Sequence, residues 1–328
     1  MDVFLSILAS SVNTAIGPSA IVYALAASGL NVHYGYTGLL NFGQVGFMLM
    51  GAAGLAISVS IFEVPFFVGL LCGVLSAVLL ALVLGAPTLR LRADYLAIST
   101  IAAAEILRFT SRSNTLAELT GGPFGIPSQV GGSGFTQTWN AMNPIPPGRY
   151  SFGWLHFTHT RLWVVIVGWI LVALVCLLIW SLMRSPWGRV VRSIREDEDA
   201  ARALGKNVFA YKMQALVLGG VLGGVAGMVL VLFQGSFFAD GFRPELTFYA
   251  YTALIMGGAA TIFGPVLGSL TFWFLLAVTE RTLTLTGILP SGAGGATRLA
   301  LVGLLLVILM VFRPQGILGN KREMVLDG

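Results

Sequence analysis

The chain has 328 residues, of which 56% are hydrophobic and 10% charged, with 41 glycines, a net charge of +5 and a mean hydropathy of +0.85. A soluble domain carries about 25% charged residues, and a water-soluble globule could not hide this much apolar surface. The composition excludes a soluble enzyme, a disulfide scaffold and a disordered chain, and argues against a nucleic-acid binder; it points to an integral membrane protein with several spans.

The amino terminus, Met1-Asp2-Val3-Phe4, has no basic run, so the first span is expected to serve as both targeting signal and permanent structure. Apolar runs long enough to span fall at 15–34, 40–61, 64–85, 95–109, 162–182 and 213–234, then at 247–279 and 299–312. Period-two alternation is absent, which argues against a β-barrel. As one straight helix the run at 247–279 would reach roughly 50 Å, against a hydrocarbon core of about 30 Å. It contains Gly257-Gly258 and Gly264-Pro265, so two helices joined by a turn at 258–264 are expected. The expectation is therefore nine spans in one transmembrane domain, 1–328, with the ends on opposite sides.

Lys and Arg counts orient the bundle. With 184–212 placed in the cytoplasm, that side holds 12 basic residues and the other holds 7. The amino terminus is then outside and the carboxyl terminus inside. The Gly- and Pro-rich segment 110–160 is external, and 184–212 is a charged internal loop.

Within that loop, Pro186 favours a helix start. Glu196, Asp197, Glu198 and Asp199 suit the front of a second short helix over 197–204, with Gly205 as its stop. From charge alone this is a solvated loop; Ala200, Ala201, Ala203 and Leu204 also leave a small-residue face that could seat in a partner's groove.

A transport path needs polar groups at membrane depth. The best candidates are Asn41, Phe42, Gly43 and Gln44, preceded by Tyr36 and by glycines that suggest an interrupted helix. Asn41 and Gln44 are one turn apart and are expected to share a face. They either line the path or hydrogen-bond the bundle together; the sequence leaves both open. Glu105 is the acidic residue in mid-span, and Arg108 at i+3 is placed to neutralise it. Gly219, Gly223 and Gly227 form a flat helix face for close packing, static or sliding, and Gly258, Gly264 and Pro265 mark a bent hairpin. Cys72 and Cys176 lie in apolar runs and read as core residues. His33, His156 and His159 lack the spacing of a metal site, and no P-loop or other catalytic motif is present.

The run Asp199-Ala200-Ala201-Arg202-Ala203-Leu204-Gly205 resembles the EAA…G signature of ABC importer permeases, with Asp199 in place of the glutamate. Four further blocks resemble, in order, those of the branched-chain amino-acid (LivM-type) permease family: NVHYGYTGLLNFGQVGFMLMGAAG at 31–54, LTGGPFGIP at 119–127, YTALIMGGAATIFGPVLGS at 251–269 and FRPQGILG at 312–319. The resemblance runs from about residue 24 to 319. It implies an all-α polytopic bundle of the ABC importer permease type, with broken helices and a cytoplasmic coupling helix. It assigns coupling to Arg195, Glu198, Asp199, Ala200, Ala201, Arg202 and Gly205. It implies no directly bound cofactor, ATP being used by partner chains. Expected partners are a second related permease, two cytoplasmic ATP-binding subunits and an extracytoplasmic substrate-binding protein that touches 110–160. The expected location is the bacterial cytoplasmic (inner) membrane. Branched-chain amino acids are the implied cargo, with urea or short amides as the alternative, since permeases for those share the blocks. A stand-alone secondary transporter or channel, using Glu105 to carry a proton, is the reading of another class; the odd span count and the docking-type loop argue against it.

Overall fold

The computed structural model describes residues 2–127, 134–152, 155–285, 300, 302–304, 307–308, 311 and 315–319. Half of the expected span at 299–312 lies outside the described residues. The rest is a helical bundle.

Helix α1 (Asp2–Ile16) precedes the first expected span, and the chain bends by 43° at Gly17 before α2 (Pro18–Leu30). Pro18 at the first helical position has no N–H to lose, so it starts a helix readily. The reading that began the first span at residue 15 is thereby corrected: 15 and 16 close α1. Helix α2 passes into a π-helical turn (Asn31–Tyr36), and helix resumes only at α3 (Gln44–Ser60).

Helices α4 (Phe66–Thr88) and α5 (Ala93–Arg112) follow, joined by a short turn. The segment expected outside holds α6 (Ala117–Thr120), β1 (Ile126–Pro127), α7 (Phe135–Ala141) and the hairpin of β2 (Arg149–Phe152) with β3 (Leu155–Thr158). Helix α8 (His159–Arg184) begins where the Thr158 side chain accepts from the Arg161 amide. The charged loop is α9 (Pro186–Glu196) and α10 (Glu198–Ala203). Then come α11 (Val208–Gln234), β4 (Ser236–Phe237), α12 (Glu245–Gly257) and α13 (Gly264–Leu285). The turn expected at 258–264 is present between α12 and α13.

Among the described residues, α4, α8, α11 and α13 are long and apolar enough to cross a membrane, and the bent pair α1–α2 makes a fifth. Helix α11 is central: its most apolar stretch is 67% buried, against 28% for α4 and α13. It lies against α2, α3 and α4. Glycine lets these backbones meet. A Cβ on Gly227 would stand 1.9 Å from the Met48 carbonyl oxygen, and one on Gly51 would stand 2.3 Å from that of Gly224.

The bundle has two distinct ends. At one, the α4–α5 turn faces α10 and the start of α11 across a cavity of about 750 Å³ lined by Arg90, Arg92, Glu198, Arg202 and Lys212. At the other, Ser60 at the end of α3 accepts from the Phe135 amide at 3.3 Å, and β4 pairs antiparallel with β1.

Candidate functional site

The break between α2 and α3 lies where α2, α5, α11 and α12 converge. After the π-helical turn, Gly38 takes φ +73° and the chain leaves helical geometry until Gln44. Asn41 sits in this irregular stretch, and Gln44 is the first residue of α3. The expectation that they share a helical face is therefore replaced by a direct contact, Asn41 Nδ2 to Gln44 Oε1 at 3.4 Å.

His33 is the hub of this region, and it is fully buried. Its Nε2 lies 3.1 Å from the Leu216 carbonyl, which can only accept, so Nε2 carries the proton. Its Nδ1 is then free to accept from Asn41 Nδ2 at 3.0 Å. Asn41 Oδ1 accepts from the Gly43 amide at 2.8 Å, and the Tyr251 hydroxyl donates to the Asn41 carbonyl at 2.9 Å. Gln44 Nε2 donates to the Gly219 carbonyl at 3.1 Å and to that of Ala26 at 3.4 Å. Thr100 from α5 accepts from the Phe42 amide at 3.2 Å, and Thr247 from α12 accepts from the Val45 amide at 3.0 Å. Every side-chain polar atom of Asn41 and Gln44 has a protein partner. In low-dielectric surroundings an uncharged, satisfied network of this kind rigidifies a core without the cost of a buried ion.

The glycines of α11 make room for this hub. A Cβ on Gly219 would stand 2.3 Å from His33 Nε2, and one on Gly223 would stand 2.5 Å from Gln44 Nε2. The flat face therefore receives two polar side chains, while Gly227 meets backbone.

One edge of the break is open. Phe42 is half-buried, with its ring 5.0 Å from that of Tyr251 and 5.6 Å from that of the exposed Phe248; Tyr34, its ring 6.0 Å from that of Tyr251, is also exposed there. Irregular backbone at membrane depth does not face lipid, because its N–H and C=O groups find no partners in hydrocarbon. Tyr36, Asn41, Gly43 and Gln44 are buried behind this edge.

The hairpin of α12 and α13 is tied to the same region. Asn31 in the π-helical turn accepts from the Ala260 amide at 2.8 Å and donates to the Thr261 carbonyl at 2.7 Å. Gly258 takes φ +110°, and next to it the amides of Ile317 and Leu318 bond the carbonyls of Met256 and Gly257. Gly264 and Pro265 are buried at the start of α13.

The charged loop is built as its residues suggest. Asp197 caps α10, its Oδ1 accepting from the amides of Asp199 and Ala200, both at 2.9 Å. Gly205 ends the helix with φ +76°. Arg202 pairs with Glu198 at 2.9 Å and Asp199 at 2.6 Å, and Lys212 reaches back to Glu198. Of the small-residue face, Ala201 packs inward against Ile194 and Val208. Ala200 and Ala203 are exposed, and Leu204 is 79% exposed. Arg195 departs from this group: its Nη1 points into the bundle and donates to the Gly35 carbonyl at 2.5 Å.

Toward the opposite end, Arg108 bonds Glu105 at 2.8 Å and also Asp240 at 2.7 Å, with Arg112 joining Asp240 at 3.3 Å. The expected pair is thus a cluster that ties α5 to the segment after β4. Sequence reasoning missed Asp240, and it set His33 aside when no metal spacing supported it. The only available signal for His33 was a polar residue eight positions before the Asn41–Gln44 run and inside an apolar stretch.

A membrane-spanning helical bundle with a buried polar break at its middle and a capped, charged helix pair at one end is the architecture of a membrane transport subunit. Comparison with known proteins agrees. The family model described as "Branched-chain amino acid transport system / permease component" matches residues 15–312. The chain is 31% identical over 318 residues to the high-affinity branched-chain amino acid transport system permease protein LivM of Escherichia coli (strain K12), covering 94% of this chain and 70% of that protein. It is likewise 31% identical over 319 residues to LivM of Salmonella typhimurium, with the same coverage. It is 27% identical over 250 residues to the nucleoside ABC transporter permease protein NupC of Lactococcus lactis subsp. cremoris, covering 72% of this chain and 71% of that one. The chain belongs to the branched-chain amino acid transport system permease family.

Proposed function

We propose that this chain is the membrane permease subunit of an ATP-driven importer of branched-chain aliphatic amino acids. The observation that carries the reading is its 31% identity, across 94% of its length, to permeases named for that transport. The open edge of the break supports it: Phe42 and Phe248 offer the apolar, aromatic surface that suits an aliphatic side chain. In this reading ATP is hydrolysed by two partner chains.

Those partners dock where α10 stands proud of the bundle. Leu204, Ala200 and Ala203 seat in a groove of the ATP-binding subunit, and Glu198, Asp199 and Arg202 set the register. A second, related permease covers the open edge of the break, with the cargo path between the two. A substrate-binding protein delivers cargo at the end that carries 110–160. The bundle alternates access as ATPase closure moves α10. The full chain crosses the bacterial inner membrane nine times, with the amino terminus outside and α9–α10 in the cytoplasm. Single-cysteine labelling at Ser193 from the cytoplasmic side only is the expected topology result.

The deciding experiment purifies the complex through this chain and reconstitutes it in liposomes with the cognate binding protein. ATP-dependent uptake of leucine, isoleucine and valine is expected. Uptake of urea, acetamide or a nucleoside in their place would reassign the cargo. Filling of vesicles by this polypeptide alone would sink the ATP-driven reading in favour of a secondary transporter or channel.

A further inference from the structure

The end of the first span is capped from outside its own chain segment. Where the π-helical turn closes, the Gly35 carbonyl loses its helical acceptor role, because the Leu39 amide bonds His33 and the Gly38 amide bonds Tyr34 instead. Arg195 fills that vacancy with a charge-assisted bond of 2.5 Å. Arg192, three residues earlier on the same face of α9, holds its guanidinium 5.5 Å from the centre of the buried Tyr36 ring. Both cations lie at a helix C-terminus, where positive charge is favoured. The Arg195 side chain also lies over Gly38: a Cβ there would stand 3.4 Å from its Cγ.

These contacts fall within six residues of Asn41. Gly35 is wedged as well, since a Cβ on it would stand 2.0 Å from Asn31 Oδ1 and 2.7 Å from the Ala260 amide. Asn31 holds the α12–α13 turn, and His33 holds Asn41. A displacement of α9 is therefore passed to the break and to the hairpin through stiff, short contacts, with no flexible loop between.

We propose that Arg195 is a positioning residue that locks α9 to the broken helix, so that force received at α10 moves the break as one body with α9. This goes beyond the assignment of Arg195 to the ATPase-facing surface, and it rests on the ATP-driven reading above. Arg195 touches neither nucleotide nor cargo; it converts movement of the charged end into movement of the buried hub.

The test uses the reconstituted complex and reads cargo transported per ATP hydrolysed. Arg195→Gln should lower that ratio about tenfold, and Arg195→Lys, which keeps one donor for the Gly35 carbonyl, should recover most of it. The second variant is Gly38→Cys with Arg195→Cys. A Cβ on Gly38 stands 3.7 Å from that of Arg195, within the separation a disulfide spans, and the cost of a side chain at its φ of +73° is measured with a Gly38→Ala control. The oxidised double variant should couple normally and lose coupling on reduction. An unchanged ratio in Arg195→Gln, or arrest of transport by the disulfide, would overturn the proposal, the second by showing that α9 and the break slide past each other. If Arg195→Gln does not assemble, the disulfide variant still decides. Failure of the wild-type complex to couple ATP to uptake would instead remove the functional reading, and the inference with it.

Discussion

At the middle of the bundle, His33, Asn41, Gln44 and Tyr251 carry no formal charge, are closed to solvent and spend their polar atoms on one another and on backbone. At the charged end, Glu198, Asp199 and Arg202 are ions in contact with solvent, paired at 2.6–2.9 Å. The two regions are similarly rich in hydrogen bonds, but they are worth different things. A buried polar group left unpaired loses its full desolvation free energy, about 1–3 kcal/mol. An exposed ion pair contributes about 0–1 kcal/mol, because water and salt already satisfy its members. The middle is therefore organised for rigidity, and the end for recognition. That difference makes substitutions in the two regions separable by experiment.

The largest contrast is between two glycines. Gly227→Ala puts a methyl 1.9 Å from the Met48 carbonyl oxygen, so α11 and α3 must separate along their packed length. A loss of about 3 kcal/mol or more is expected, read as a fall in Tm in detergent or as failure to run as a single species in size exclusion. Gly205→Ala meets nothing within 4 Å, and only its φ of +76° is unfavourable. Its cost is about 1–2 kcal/mol, confined to the end of α10. Equal effects would mean that the α11–α3 contact is looser than the structure shows.

Next in size is Asn41→Leu. It strips a partner from His33 Nδ1, the Gly43 amide and Gln44 Oε1 together, for about 2–4 kcal/mol. A thermal-unfolding cycle with His33→Leu should return a coupling of about 1 kcal/mol or more, since the two side chains bond directly. Independent, additive losses would show that the hub is not a network. Arg108→Leu should cost somewhat less, about 2 kcal/mol, by leaving Glu105 without its cation and Asp240 with Arg112 alone at the opposite end. Asp240→Asn should relieve part of that loss, and the paired measurement tests whether one cation serves both carboxylates.

What the sequence disclosed, and what it did not, follows the same division. The charged loop was legible almost residue by residue. Pro186, the acidic run ending at Asp199, and Gly205 are local signals, and they produced the starts and stop of α9 and α10. The split of 247–279 was legible for the same reason, since Gly257-Gly258 and Gly264-Pro265 break helices locally. The hub was legible only in outline. Composition flagged Asn41 and Gln44 as polar groups in an apolar run, but Gly219 and Tyr251, which bond them, lie far along the chain, as do Leu216, which bonds His33, and Thr247, which bonds the Val45 amide. Asp240 is 132 residues from Arg108, and no periodicity links them. Helix α1 escaped notice because Ser6, Ser10, Ser11, Asn13 and Thr14 interrupt its apolar run, leaving no stretch that reads as a span. Arg195 shows the limit from the other direction: Glu196 and Asp197 beside it face solvent, yet its own contact is made inward.

The smallest expected effect on stability is the one that most sharpens the contrast. Glu198→Gln weakens an exposed pair with Arg202 and a part-buried one with Lys212, and should change unfolding by about 1 kcal/mol. If α10 is a docking surface, the same substitution alters the charge that sets its register on the ATP-binding subunit, so ATP-coupled uptake should fall several-fold while the chain remains folded. Raising the salt concentration should narrow the gap between wild type and Glu198→Gln, because a Debye length of about 3 Å at 1 M salt screens the wild-type charge as well. Asn41→Leu should show no such salt dependence, since its lost contacts are buried and uncharged. A Glu198→Gln chain that unfolds early and transports in proportion to the folded fraction would place the pairs in the service of stability, and α10 would then need another basis for recognition.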